Sequence, residues 1–264
     1  MNLIHLTLAF ICIFSVSCGE EINDKDRDKP VSSISYSGFW QPDTRAFMLS
    51  GDVEWIEERN KVWFDGGPVA MDGFYYRFNE VGFKMQQKRF GRNNTLMAIT
   101  NYEHDPEGLP VKSSTLNEAG QILMKGEFEY DESDRTLNFK TFETGNPVPQ
   151  MITRQKFDEK GYLLTEEFLN SAGELMEKTA YTRNDKGWIM KEDRLEADGH
   201  LEFQQKNTYD EKGNLIEAIR LDAHSGVWTN TFLYEFDDKG NWKIRKTLLN
   251  GKVVEEAGRT YKYR

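Results

Sequence analysis

From Gly82 to Gly240 a turn-forming residue returns every 26 or 27 positions, at Gly82, Gly108, Asp134, Gly161, Gly187, Gly213 and Gly240. Around these positions the chain reads Phe-Asn-Glu-Val-Gly, Phe-Asp-Glu-Lys-Gly, Tyr-Asp-Glu-Lys-Gly and Phe-Asp-Asp-Lys-Gly, one supersecondary unit written repeatedly. A second turn follows each first by roughly 12 residues, at Asn94, Gly120, Gly145, Gly173, Gly199, Gly226 and Gly251. The intervals have the length of strands and leave no room for a long helix. The chain is therefore expected to be all-β: a repetitive antiparallel β-hairpin meander of about 26-residue units, with about fourteen strands in an extended, twisted or curled sheet.

The turn chemistry explains why the register repeats. In Asp158-Glu159-Lys160-Gly161 and Asp210-Glu211-Lys212-Gly213 the aspartate can cap the turn amides, while the glycine takes a positive φ at no steric cost. Such a loop is a type I turn closed by a glycine bulge. Between turns the side chains alternate, with Leu175, Glu177, Thr179 and Tyr181 on one face and Met176, Lys178 and Ala180 on the other. Aromatics gather four or six residues before the first turn of each unit, at Tyr76, Phe78, Tyr102, Phe128, Tyr130, Phe157, Tyr181, Tyr209, Tyr234 and Phe236. Stacked across hairpins, they predict an aromatic ladder that forms the core.

Residues 36–74 fit the repeat less well and are expected to be N-terminal capping strands, because a repeat array needs an atypical first unit. Residues 75–264 form the repeat domain. Arg259-Thr260-Tyr261-Lys262-Tyr263-Arg264 alternates basic and apolar residues, as a protected edge strand does.

Residues 1–17 carry no charged side chain, and Leu3 to Val16 is apolar but for His5, Thr7 and Ser15. That run is too short to span a bilayer and reads as a signal peptide ending before Cys18. Ser15-Val16-Ser17-Cys18 resembles the lipobox of bacterial lipoproteins, although Ser15 stands where a larger aliphatic residue is usual and no positive charge precedes the run. The resemblance implies lipid attachment at Cys18, with a three-chain anchor that includes palmitate. The only other cysteine, Cys12, lies within the signal, so Cys18 has no partner for a disulfide in the mature chain. Residues 18–35 are a polar, mostly acidic tether, similar to the signal that sends Bacteroidetes lipoproteins to the outer cell surface.

Tyr209 to Ile216 and Phe236 to Trp242 resemble the YD or RHS-like repeat, whose core is Tyr-Asp-x-x-Gly-x-Leu. Small lipoproteins of Bacteroidetes carry such repeats. The resemblance runs from about Tyr75 to Arg264 and is strongest after Phe157. It departs at Asp134, where the glycine is missing, and at Asn184, where the tyrosine is displaced to Tyr181. It implies extended β structure without chemistry of its own.

The residues agree with that implication. The net charge is −10, all of it in the mature chain, which disfavours nucleic acid as a partner. His104, His200 and His224 show no metal-binding spacing, and no Gly-x-Ser-x-Gly elbow is present. The turns lack the ligand spacing of a calcium loop. No catalytic residue, metal or cofactor is expected. Adjacent carboxylates such as Glu166 and Glu167 or Glu255 and Glu256 point to opposite faces, so acid–base chemistry would need carboxylates from different strands. Trp188, Trp228 and Trp242 are candidate ligand-contact aromatics, since large rings near hairpin ends can stack on sugars or anchor a protein.

The leading expectation is a non-enzymatic lipoprotein of the outer membrane, exposed at the cell surface, that offers a binding or scaffolding face to protein or glycan. One rival is an envelope immunity protein that neutralises a basic effector through its acidic charge. Another is a glycan-degrading enzyme, which predicts carboxylates from separate strands meeting in a concave site.

Overall fold

The computed structural model describes residues 49–64 and 67–264. The signal, Cys18, the tether and the first part of the expected capping segment lie outside the described residues. Seventeen strands follow in chain order: β1 (Val53–Phe64), β2 (Gly67–Ala70), β3 (Gly73–Phe78), β4 (Lys84–Phe90), β5 (Leu96–His104), β6 (Pro110–Leu116), β7 (Ile122–Asp131), β8 (Thr136–Glu143) and β9 (Met151–Phe157), then β10 (Leu163–Asn170), β11 (Leu175–Arg183), β12 (Ile189–Glu196), β13 (Leu201–Tyr209), β14 (Leu215–Asp222), β15 (Gly226–Phe236), β16 (Trp242–Leu249) and β17 (Lys252–Tyr263). From β3 to β17 each strand pairs antiparallel with the next, as the turn spacing requires.

The meander closes. On one side β1 pairs with β17 from Val53↔Tyr263 to Val62↔Glu255, and on the other Trp55–Glu58 pairs with β3. The short β2 lies against Lys61–Phe64, the rest of that second edge. All strands except β2 thus form a 16-strand barrel. The C-terminal segment is therefore no edge: β17 is paired on both sides. Its alternating charges are matched singly, Arg259 with Glu58 on one face and Lys262 with Glu54 on the other. Val53–Phe64 is the strand through which the sheet closes.

The turns behave as their sequence demands. At Asp158 the Gly161 amide donates to the Asp158 carbonyl, and the Lys160 and Tyr162 amides donate to Asp158 Oδ1. Asn79, Asn170, Asn184, Asp210 and Asp237 repeat this pattern with the amide four residues on. Gly161 and Gly213 have φ of 80° and 86°. The degenerate unit is one residue longer than its spacing suggested. Asp131 caps Ser133 and Asp134, and Arg135 rather than Asp134 takes the left-handed conformation, with φ of 51°.

Most units also carry a latch. A side chain just before the turn donates to the carbonyl two residues after the preceding turn glycine: His104 to Lys84, Tyr130 to Pro110, Tyr209 to Ile189, Tyr234 to Leu215 and Tyr261 to Trp242, at 2.6–3.0 Å. Arg183 Nε makes the same bond to the Leu163 carbonyl where the repeat lacks its tyrosine. The ladder shifts register just after these turns, and the latch ties the unit to its neighbour there.

Candidate functional site

Pairing register assigns every strand residue to one of two faces. One set contains Ile56, Glu58, Phe78, Ser113, Leu137, Thr153, Phe157, Glu166, Thr179, Phe203, Asn207, Ala218, Trp242 and Arg259, and nearly all the buried strand side chains fall in it; Thr136 and Leu169, at strand ends, are the exceptions. This is the inner wall. The aromatic ladder lies on it, near the rim that carries the first turn of each unit. Phe128 stacks on Phe139 with centroids 4.5 Å apart, Tyr234 on Phe236 at 5.9 Å and Tyr261 on Tyr263 at 6.1 Å. Such pairs contribute about 0.5–1.5 kcal/mol each beyond their burial.

The inner wall is also charged. Arg259 Nε donates to Glu58 Oε2 at 2.8 Å, with both side chains almost wholly buried, and its guanidinium lies 3.9 Å from the Trp242 ring centre. From β10 to β15 a second cluster follows. Arg194 is paired with Glu177 and, at 2.8 Å, with Glu202. Glu166 accepts a hydrogen bond from Gln155 Nε2 at 2.5 Å. Arg220 sits 3.6 Å from the Phe203 ring centre and 5.5 Å from that of Trp228. Burial raises the Glu166 carboxyl above its ordinary range against the lowering effect of Gln155, and Glu177 and Glu192 push it further up. Burial likewise raises Glu192, opposed by Arg220 and Arg194. Carboxylates from three adjacent strands therefore share one concave wall, a convergence that no pair of neighbours in the sequence could reveal. Among the described residues no cluster of His, Cys, Asp and Glu has the geometry to hold a metal.

The tryptophans singled out from sequence occupy different places. Trp242 is 1% exposed and leaves no face for a ligand, because its ring is packed between Arg259 and Tyr234. Trp188 lies at the rim against Tyr209 and covers Gly213, whose added Cβ would come within 2.6 Å of the indole. Trp228 is half-buried on the inner wall above Arg220. The structure does not gather them into one site. Cys18 lies outside the described residues.

The outer wall is charged along its middle. Lys88, Lys125, Glu127, Lys140, Arg154, Glu167, Lys178, Lys191, Asp193 and Lys206 all face out by register. A bilayer-spanning barrel needs an apolar band there, and each midplane Lys or Arg would cost about 2–4 kcal/mol. Exposed apolar side chains elsewhere lie near strand ends or in turns, Ile122 and Leu123 being consecutive on β7, but on β14 and β15 they run from the rim into mid-wall. Leu221 pairs with Val227, Ile219 with Thr229, and Leu233 lies two rungs further, at exposures of 45%, 65%, 39% and 57% for Leu221, Val227, Ile219 and Leu233. Leu248 of β16 extends the patch opposite Thr231. The sequence signal for this patch was Ala218-Ile219-Arg220-Leu221-Asp222, whose alternation places Ile219 and Leu221 outside and Arg220 and Asp222 inside.

No family model matches the chain, and no curated protein does. Among solved structures, a porin-like protein from Bacteroides uniformis is 13% identical with a TM-score of 0.40, over 81% of this chain and 98% of its own. A porin-like protein from Bacteroides vulgatus is 9% identical with a TM-score of 0.36, over 81% and 99%. The toxin complex TcdB2–TccC3–Cdc42 is 13% identical with a TM-score of 0.35, over 76% of this chain and 11% of its own. At these values function has to be argued from the walls of the barrel itself.

Proposed function

We propose that this chain is an envelope lipoprotein of the YD/RHS-like kind, held by lipid at Cys18, whose barrel stands off the bilayer and binds a protein partner without catalysis of its own. The observation that carries this reading is the aliphatic patch of Leu221, Val227, Ile219 and Leu233 on an otherwise charged outer wall. An exposed aliphatic cluster among polar residues is a typical protein-binding surface. Its aliphatic character favours protein over glycan, since sugar stacking uses aromatic rings, and the three candidate tryptophans lie on the inner wall or at the rim. The charged mid-wall supports a barrel outside the membrane.

The test uses a photo-crosslinking residue at position 227 in intact cells of the native host, with one at position 178 on the charged wall as control. A discrete protein adduct from 227, absent from 178 and lost on Leu221→Lys, is expected. The same adducts from both positions, or none from 227, would overturn the reading. Protease treatment of intact cells carrying wild type or Cys18→Ala then decides whether the domain faces outward.

A second reading, glycan hydrolysis, is favoured by one observation: Glu166, Glu177 and Glu192 share a concave wall, and burial raises Glu166 and Glu192. It requires that purified protein cleave a glycan and that Glu166→Gln or Glu192→Gln abolish the cleavage.

A further inference from the structure

The inner wall carries one unbroken register row that the outer patch does not use. Tyr181 pairs with Glu192, Glu192 with Gln205, Gln205 with Arg220 and Arg220 with Trp228, so the adjacent strands β11 to β15 set an acid, an amide and a base between two aromatic rings. All of these side chains face the lumen, and all are half-buried, so each keeps part of its surface open. On β14 and β15 the row lies just inside the rim pair Asp222↔Gly226, at the mouth of the second turns.

The opposite charges of this row are held apart. Arg220 is drawn to its own side, with its guanidinium 3.6 Å from the Phe203 ring centre and Nη2 3.5 Å from Asp222 Oδ2. Its Nε is buried without a hydrogen-bond partner. Among the described residues Glu192 enters no ion pair and accepts no hydrogen bond; Arg220 and Arg194 act on its raised carboxyl only through space. Between the two, Gln205 Nε2 donates to Asn207 Oδ1 at 3.0 Å, which leaves Gln205 Oε1 to accept. A carboxylate without a countercharge and a guanidinium with an unused donor, on one half-buried wall, are costly until something joins them.

We propose that this row binds a short zwitterionic peptide with free ends: Glu192 takes the N-terminal ammonium, Arg220 the C-terminal carboxylate, Gln205 a peptide N–H between them, and Tyr181 and Trp228 flank the end side chains. The spacing sets the length. The Cα atoms of Glu192 and Arg220 lie two strand spacings apart, about 10 Å. An extended residue covers about 3.3–3.6 Å, so roughly three residues match, whereas a single amino acid, with both charges on one Cα, does not reach both walls of the gap. The charges set the ends. A guanidinium fork with a free edge suits a carboxylate, and a peptide lacking either charged end leaves one wall charge unpaired. The site is separate from the outer patch, shares only Glu192 with the glycan reading and requires no bond to break.

The test is isothermal titration of the full-length chain with the tripeptide Phe-Ala-Phe, beside the same peptide N-acetylated and the same peptide C-amidated. The free peptide is expected to bind, and each blocked end to weaken binding by about tenfold or more, as loss of a charge-assisted hydrogen bond predicts. In Glu192→Gln, acetylation should cease to matter while amidation still does; in Arg220→Gln the dependence should reverse. No binding of the free peptide at millimolar concentration, or equal affinity for all three peptides, would overturn the site. That comparison is made on the wild-type chain, so it holds even if a variant fails to fold. Variants that fold and still respond to both blocked ends as the wild type does would equally overturn it.

Discussion

Gly213 shows how tightly single positions are specified. Its φ of 86° is strained for any side chain, and an added Cβ would meet the Trp188 indole at 2.6 Å. Gly213→Ala should therefore destabilise the protein by about 2–3 kcal/mol in urea unfolding, whereas Gly173→Ala, with open space around it, should cost only the backbone strain, about 1 kcal/mol. Glu166 makes the opposite kind of prediction. Its carboxyl is raised in the folded chain above the ordinary value of 4.5, so the folded state holds the proton more tightly than the unfolded one. Stability from this group is present below that ordinary value and is lost as pH rises through the folded one. Glu166→Gln keeps an acceptor for Gln155 and removes the titration. Its melting temperature should gain on the wild type as pH rises from about 5 to 8, and the advantage should vanish near pH 4. A constant difference across that range would show that Glu166 does not titrate as its burial demands.

At the scale of the hairpin, the repeat was legible because its signals are local. An aspartate or asparagine four residues before a capped amide, with glycine between them, needs no partner elsewhere in the chain, and the turns at Asp158, Asn184 and Asp210 formed where the spacing put them. The latch was hidden, because it joins residues about 20 apart and accepts tyrosine, histidine or arginine alike. Arg183, which breaks the sequence motif, performs the tyrosine's bond. Tyr209→Phe should cost about 1 kcal/mol in chemical denaturation, the net value of one hydrogen bond, because Asn207 Nδ2 still donates to the same Ile189 carbonyl. Which face was inner was equally hidden. Alternation separates Ala218, Arg220 and Asp222 from Glu217, Ile219 and Leu221 but does not say which set turns inward, and choosing the more apolar set would have inverted β14.

Closure belongs to the whole molecule and had no local signal: Val53–Phe64 reads as a strand, but its pairing with a segment 200 residues away is fixed by a buried charge match. Glu58 and Arg259 face each other across the β1–β17 seam at 2.8 Å, both almost fully buried. Removing one partner strands a charge where water cannot reach it, so Glu58→Ala should destabilise by about 3–5 kcal/mol. The loss should appear first as faster exchange of β1 and β17 amides, because those strands lose the pair that joins the two ends of the sheet. Replacing both groups with apolar residues of similar volume removes the stranded charge, so the double variant Glu58→Leu with Arg259→Met should be more stable than either single variant and keep the seam amides protected. Single-variant losses that simply add in the double variant would mean that the pair is not coupled, and that the backbone ladder of β1 and β17 closes the barrel without it.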